Sequence, residues 1–429
     1  MSAPWYGEIP ERWRVYKLSD LFIERREKVS DIEFAPLSVS KLGIVPQIAT
    51  AAKSNDSENR KLVKQGDFAI NSRSDRRGSS GVSSYTGSVS LINTVLTPRG
   101  NTNRAYWHYM LRSHSFIEEF YRNGRGIVAD LWTTRMSEMK AIYLPLPPRD
   151  EQDQIVRYLD WKVSQINRLV NTKRRHIALL GEQKRATIYN AVEASNYPKT
   201  RIGHLYTSIL GKMLQPTKKA NTDTLKKYLC AKDVHFDGID ITNSKEMWFS
   251  PAEKKQYRVK AGDLLVVEGG AGAGGSYIFD YDADVELYVQ NSIQIIRSKG
   301  NSSNKFLYYY MFSLVKRGYI DFVCEKATIP HFTKERLLST IIPVIPYEEQ
   351  ERVVDYLDQQ CANIDKIISK FNDEITLLTE LRTRLISDVV TGKIDVRGIE
   401  IPAYEVYEEV VDPTEVNEPE EAEVPEPEV

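Results

Sequence analysis

Arginine is the side chain that can bond guanine O6 and N7 together, or clamp a phosphate through two parallel N–H donors. This chain gathers basic residues into a few short polar stretches. Asn71-Ser72-Arg73-Ser74-Asp75-Arg76-Arg77-Gly78 follows the strand that begins at Gly66-Asp67, and its serines and glycine make it a loop. Arg122-Asn123-Gly124-Arg125-Gly126 is a second basic turn, with Trp132-Thr133-Thr134-Arg135 shortly after it. In the second half of the chain the equivalent stretch runs from Lys326 through His331, Phe332 and Thr333 to Lys334. The candidate contacts to a polyanion are therefore Arg73, Arg76, Arg77, Arg122, Arg125, Trp132, Thr134 and Arg135 in the first half. In the second half they are Lys326, His331, Thr333 and Lys334. The competing reading of each stretch alone is an ordinary solvated surface loop.

Catalytic constellations are missing. The sequence has no G-x-x-x-x-G-K-[ST], no H-E-x-x-H and no G-x-S-x-G, and His108, His114, His176, His204, His235 and His331 show no metal-ligand spacing. Cys230, Cys324 and Cys361 form no C-x-x-C pair, which argues against a disulfide scaffold or zinc ribbon and fits a reducing cytosol. Gly270, Gly272 and Gly275 satisfy G-x-G-x-x-G, but Ser276-Tyr277-Ile278-Phe279 reads as a strand where a dinucleotide site needs a helix. That loop is read as one allowing close backbone approach. The aromatic run Phe306–Phe312 reads as a core helix. No apolar run approaches the roughly 18 residues that span a bilayer, so a soluble, cytoplasmic protein is expected.

Charge sharpens the polyanion reading. The 429 residues carry 58 Lys+Arg against 59 Asp+Glu, a net −1 that suggests no taste for nucleic acid. Residues 400–429, however, hold 12 acidic residues and no basic one, which leaves net +11 on residues 1–399. Residues 1–148 carry +6, and so do residues 195–347. Equal positive charge on two units suggests one binding task performed twice on an extended acidic partner. Duplex DNA is the obvious one, because neutralising phosphates releases counterions. The tail has five prolines and is expected to be disordered.

The elements that must position these loops come from an internal repeat. Residues 145–192 resemble residues 343–390 at a constant offset of 198: Pro145, Pro148, Glu151-Gln152 and Tyr158-Leu159-Asp160 answer Pro343, Pro346, Glu349-Gln350 and Tyr356-Leu357-Asp358. Upstream, Gly66-Asp67 answers Gly262-Asp263. Val156, Leu159, Val163, Ile166 and Val170 fall on alternating three- and four-residue steps, and Val354, Leu357, Cys361, Ile364 and Ile368 do the same. Such steps put one apolar stripe on each of two long helices, the pattern of a coiled coil. The prolines near each start and Pro198 and Gly392 beyond each end bound them. The first helix feeds the second globular unit and that unit feeds the second helix, so the second helix is expected to return antiparallel along the first, and the +3 and −4 on the helical segments agree.

The expected fold is α+β: two repeated globular domains separated by two long helices that form an intramolecular antiparallel coiled coil. The domains are placed at 1–148 and 197–346, the spacer helices at 149–196 and 347–393, and the acidic tail at 394–429.

A globular unit closing on Leu144-Pro145-Leu146-Pro147-Pro148-Arg149-Asp150-Glu151-Gln152, then a long helix, then the same arrangement at Ile342-Pro343-Val344-Ile345-Pro346-Tyr347-Glu348-Glu349-Gln350, resembles the specificity (S) subunit of type I restriction–modification systems. The resemblance covers about residues 5–399. It implies that each domain is a target-recognition domain reading one half of a bipartite DNA site. The paired helices would set the gap and dock methyltransferase (M) subunits, with restriction (R) subunits completing the assembly. Glu151, Gln152, Glu349 and Gln350 are the expected docking and helix-start residues. S-adenosylmethionine, ATP and Mg²⁺ would sit on partner subunits, with no cofactor and no catalysis in this chain. Ser74-Asp75, where the second copy has glycines, and the acidic tail depart from the repeat. Two alternatives are a fused methyltransferase or nuclease chain and a coiled-coil scaffold with no DNA role. The first lacks an Asn/Asp-Pro-Pro-aromatic motif, and Glu253-Lys254-Lys255 has no suitably placed Pro-Asp before it.

Overall fold

A computed structural model describes residues 4–47, 58–126, 132–193, 197–242, 244–282, 285–324 and 331–410. The chain divides into two compact units, Met1–Arg175 with Phe371–Val429, and His176–Lys370.

In the first unit Arg14–Lys17 pairs antiparallel with Tyr143–Leu146, so the two ends of the domain are zipped together just before the proline pair. Between them lies a four-stranded antiparallel sheet in the order Phe22–Glu24, Asn93–Pro98, Phe68–Asn71, Ser80–Val82. Phe22, Phe68, Tyr106, Trp107, Met110, Phe116 and Phe120 fill the space between this sheet and its helices. The second unit repeats the plan. Lys199–Arg201 pairs with Ile341–Pro343, and the sheet order is Tyr206–Leu210, Ile293–Ser298, Leu264–Val267, Ser276–Ile278. The aromatic run 306–312 lies in the core helix Asn304–Lys316 that packs on this sheet, with Phe306, Tyr309, Tyr310 and Met311 buried.

The repeated Gly-Asp has a physical reason. Gly66 and Gly262 turn the chain at φ +87° and +83°, a conformation that favours glycine. The buried aspartate that follows each one accepts the N–H three residues earlier, Lys64 or Lys260, at 2.9 and 2.8 Å. It also holds a guanidinium, Arg25 on Asp67 and Arg297 on Asp263, each at 2.7 Å. Arg25 lies just past the strand Phe22–Glu24 and Arg297 within the strand Ile293–Ser298, a substitution of partner that preserves the ion pair.

The long helices are Arg149–Val192 and Tyr347–Val390. In the first unit Ile155, Val156, Tyr158 and Leu159 of the first helix meet Val389 and Val390 of the second, and Lys173 pairs with Glu374. In the second unit Ile188 and Val192 meet Val354, Leu357 and Cys361, and Lys184 pairs with Asp365. The start of one helix thus lies against the end of the other, the antiparallel coiled coil that the stripes require. Off-stripe apolar residues such as Leu179, Leu377 and Leu381 are exposed.

The tail differs from expectation over its first part. Residues 394–410 are held against the first unit, and 411–429 lie outside the described residues. Val396 is buried, and Ile394, Ile399 and Ile401 pack on the same core. Beyond them one face of the first long helix binds the extended main chain. Ser164, Asn167 and Asn171 donate to the carbonyls of Glu405, Tyr407 and Glu408 at 2.8–3.0 Å, and Arg174 and Arg382 hold Glu409. Averaging acid and proline content over the whole tail hides these apolar anchors and the serine–asparagine ladder. Asn171→Ala with Ser164→Ala should speed amide exchange at Tyr407 and Val410 by about five- to tenfold, since each net hydrogen bond contributes about 1 kcal/mol. Unchanged exchange would mean that the ladder does not hold the strap.

Candidate nucleic-acid interface

The three basic stretches of the first unit are scattered over more than sixty residues of sequence, yet one residue joins them. Thr133 forms isolated antiparallel bridges to both Arg73 and Arg125. Arg125 N–H donates to Thr133 O at 2.8 Å and Thr133 N–H to Arg125 O at 2.9 Å. On the other side Thr134 N–H donates to Ser72 O at 2.9 Å, and Ser74 N–H to Trp132 O at 3.1 Å. Arg73, Arg76, Arg77, Arg122, Arg125 and Arg135 are thereby carried on three adjoining segments.

Local chemistry explains how the loop is held. Asn71 Oδ1 accepts Arg73 N–H at 3.0 Å, Ser74–Arg76 makes one 3-10 turn, and Gly78 at φ +82° returns the chain to Ser80–Val82. Burial pushes the Tyr121 phenol up to about 12, so it stays protonated and donates to Arg73 O at 3.2 Å. The same ring lies under Arg77, 5.2 Å from guanidinium to centroid. Arg73, Arg77 and Arg122 are paired with Asp75, Glu118 and Glu119. Ion pairs as exposed as Arg77–Glu118 contribute little to stability. They orient the guanidinium and can be exchanged for phosphate. Tyr121, Glu118 and Glu119 are the members of this surface that sequence reasoning missed. Their only signal was adjacency to Arg122.

One expected contact is corrected, and a second has its indole N–H engaged within the fold. Thr134 is wholly buried and its hydroxyl donates to Phe120 O at 3.1 Å. Trp132 donates its indole N–H to Tyr121 O at 2.9 Å, and a Cβ on Gly124 would collide with its ring. Thr134 supports the surface from beneath, while Trp132 is half-buried within it. Arg122, Arg125 and Arg135 are exposed.

The second unit uses the same connection with different residues. The loop Gly269–Gly275 follows Leu264–Val267 as 72–78 follows Phe68–Asn71, and Gly269 bridges His331. Phe332 N–H donates to Glu268 O at 2.7 Å, the counterpart of Thr134 on Ser72. His331 is exposed, its carbonyl fixed by Arg336 at 2.8 Å. Burial pushes the Glu268 carboxyl up, with nearby Glu335 adding to the effect. Thr333 is half-buried. Its hydroxyl caps the helix Lys334–Ser339 by accepting Arg336 N–H. Lys334 is half-buried at that helix start, and Lys326 lies outside the described residues.

The Glu-Gln pairs at the helix starts are turned inward. Gln152 and Gln350 are each 2% exposed. Gln152 donates to Pro147 O at 2.9 Å and accepts Asn103 N–H at 2.8 Å; Gln350 donates to Ile345 O at 2.7 Å and accepts Ser303 N–H at 2.8 Å. Each glutamine therefore rivets its domain to its long helix, and a docking contact through it is excluded by burial. Glu151 accepts Trp13 Nε1–H and pairs with Arg12, and Glu349 accepts the Tyr197 hydroxyl. Gln350→Leu should cost about 2–4 kcal/mol, because it leaves a buried N–H and a buried C=O without partners. Thermal unfolding checks this, and an unchanged midpoint would contradict the rivet. Among the described residues no cluster of three His, Cys, Asp or Glu could hold a metal ion, and no helix is long and apolar enough to cross a membrane.

Residues 205–377 match the family model for the type I restriction modification DNA specificity domain. Over most of its length the chain is also similar to the putative type I restriction enzyme MjaX specificity subunit of Methanocaldococcus jannaschii: 22% identical, with 91% of this chain and 96% of that protein covered. The chain is thus similar, along nearly its whole length, to type I restriction–modification specificity subunits. The StySPI specificity subunit of Salmonella potsdam is 23% identical over 66% of this chain and 65% of its own length. Two solved structures share the fold. One, from work on complex assembly and conformational transition of the type I R-M system, has a TM-score of 0.64 at 15% identity, covering 90% of this chain and 100% of its own. The HsdS subunit from Thermoanaerobacter tengcongensis has a TM-score of 0.50 at 16% identity, covering 90% and 98%.

Proposed function

We propose that this chain reads duplex DNA in two halves, one through the arginine-bearing surface around Thr133 and one through the glycine loop and His331. The observation that carries this reading is the convergence of three separate basic stretches on Thr133, with the second unit joining its glycine loop to His331 at the same connection. The antiparallel helix pair holds the two readings at a fixed gap and offers the docking face for methyltransferase subunits, with restriction subunits completing the complex. Names and family support these partners: the relatives are specificity subunits, and one fold neighbour was solved in work on complex assembly. The chain contributes recognition rather than catalysis. S-adenosylmethionine, ATP and Mg²⁺ belong to the partner subunits, and the assembly works where the DNA is, in the cytoplasm.

The test is salt-dependent binding of a duplex by the full chain with its methyltransferase subunit. Affinity should fall steeply and linearly with the logarithm of salt concentration, as expected when several phosphates are neutralised. No binding at low salt would overturn the reading.

A further inference from the structure

The glycine loop of the second unit contains one glycine that the fold does not need. Gly269 has no room for a Cβ, which would meet the His331 ring at 2.8 Å. Gly274 lies at φ +81°, and a Cβ there would strike Val315 and Ile320. Gly275 is confined by Gly272 O at 2.9 Å, and Gly270 needs its freedom at φ +93°. Gly272 is different. Its φ lies outside the left-handed range, and a Cβ would meet only Val267 Cγ1, at 4.0 Å. It is also exposed, as is Ala271. A glycine that neither needs a left-handed backbone nor avoids a neighbour costs backbone entropy on folding without return inside the molecule.

The missing side chain therefore leaves room for something outside. Ala273 N–H donates to Gly270 O at 3.0 Å, which makes 270–273 a tight turn with Ala271 and Gly272 at its tip. The N–H groups of Ala271 and Gly272 donate to no group among the described residues. Two exposed main-chain donors on a bare turn form an acceptor-seeking surface, and phosphate oxygens are the commonest DNA partners of main-chain N–H groups. In the first unit the same connection carries Arg73, Arg76 and Arg77 instead.

We propose that the tip Ala271-Gly272 is a phosphate-binding turn, seated by its main-chain N–H groups on the backbone of the second half-site, so close that no side chain fits at Gly272. This rests on the DNA reading above and assigns the two halves different modes: arginine side chains in the first, main chain in the second. A phosphate contact positions without reading sequence.

The test uses the full chain with its methyltransferase subunit and duplexes in which the second half-site is varied. Gly272→Val should unfold at the wild-type temperature and bind about tenfold more weakly. The loss should be the same for every second half-site sequence, with Gly272→Ala losing less in the same direction. Gly398→Val, at an exposed glycine with open space around it, should bind as wild type does. Unchanged affinity of Gly272→Val overturns the proposal. So does a loss that depends on the half-site sequence, which would make the tip a base reader. A loss confined to methyltransferase-subunit binding overturns it as well, because the turn would then face protein. Wild type that binds no duplex would overturn the DNA reading itself, which sets that failure apart from the others.

Discussion

Arg76→Ala combined with Arg77→Ala should weaken binding of the cognate duplex by about ten- to a hundredfold, with the loss confined to preference at one half-site. The magnitude follows from about 1–3 kcal/mol of discrimination per well-placed bidentate arginine. Both residues lie in the connection whose neighbours are bridged to Thr133, and Arg77 is prepositioned over the Tyr121 ring beside Glu118. The variant should fold normally, since the ion pair lost is exposed and contributes little. A half-site-swap binding series checks the claim. Equal preference at both halves in variant and wild type would remove this loop as a reader.

Lengthening both helices should change the gap. One heptad added to each helix preserves the stripe on which Val170, Ile177, Phe371 and Ile375 lie, and extends the pair by roughly 10 Å. That is about three base pairs of duplex at about 3.4 Å each. The added heptads should either lengthen the required gap by about that amount or abolish binding where the two readings no longer fall on one face of the DNA. Binding measured against duplexes of graded gap length decides it. A variant that still prefers the original gap would refute the ruler.

These expectations rest on features of very different legibility. The repeat at offset 198 and the two apolar stripes are plain in the sequence, because local periodicity encodes which face of a helix is buried. The arginine-rich loops are visible as composition. Their convergence is not, since 132–134 joins 72–74 on one side and Arg125 on the other through main-chain hydrogen bonds that any residue could make. For the same reason Thr134 and Trp132 read as contacts: a hydroxyl or indole N–H looks identical in sequence whether it faces DNA or a buried carbonyl. Gln152 and Gln350 are recognisable as a motif but not as rivets, because their partners Asn103 and Ser303 lie almost fifty residues upstream. The strap at 394–410 is hidden by the strongly acidic composition of residues 411–429.

The most direct test of the central claim maps base methylation across the host genome with and without this gene. A bipartite motif, two short half-sites at one fixed gap, should be methylated only when the gene is present, and Arg76→Ala with Arg77→Ala should disturb one half alone. Identical methylation maps in the two strains would contradict a role in specificity.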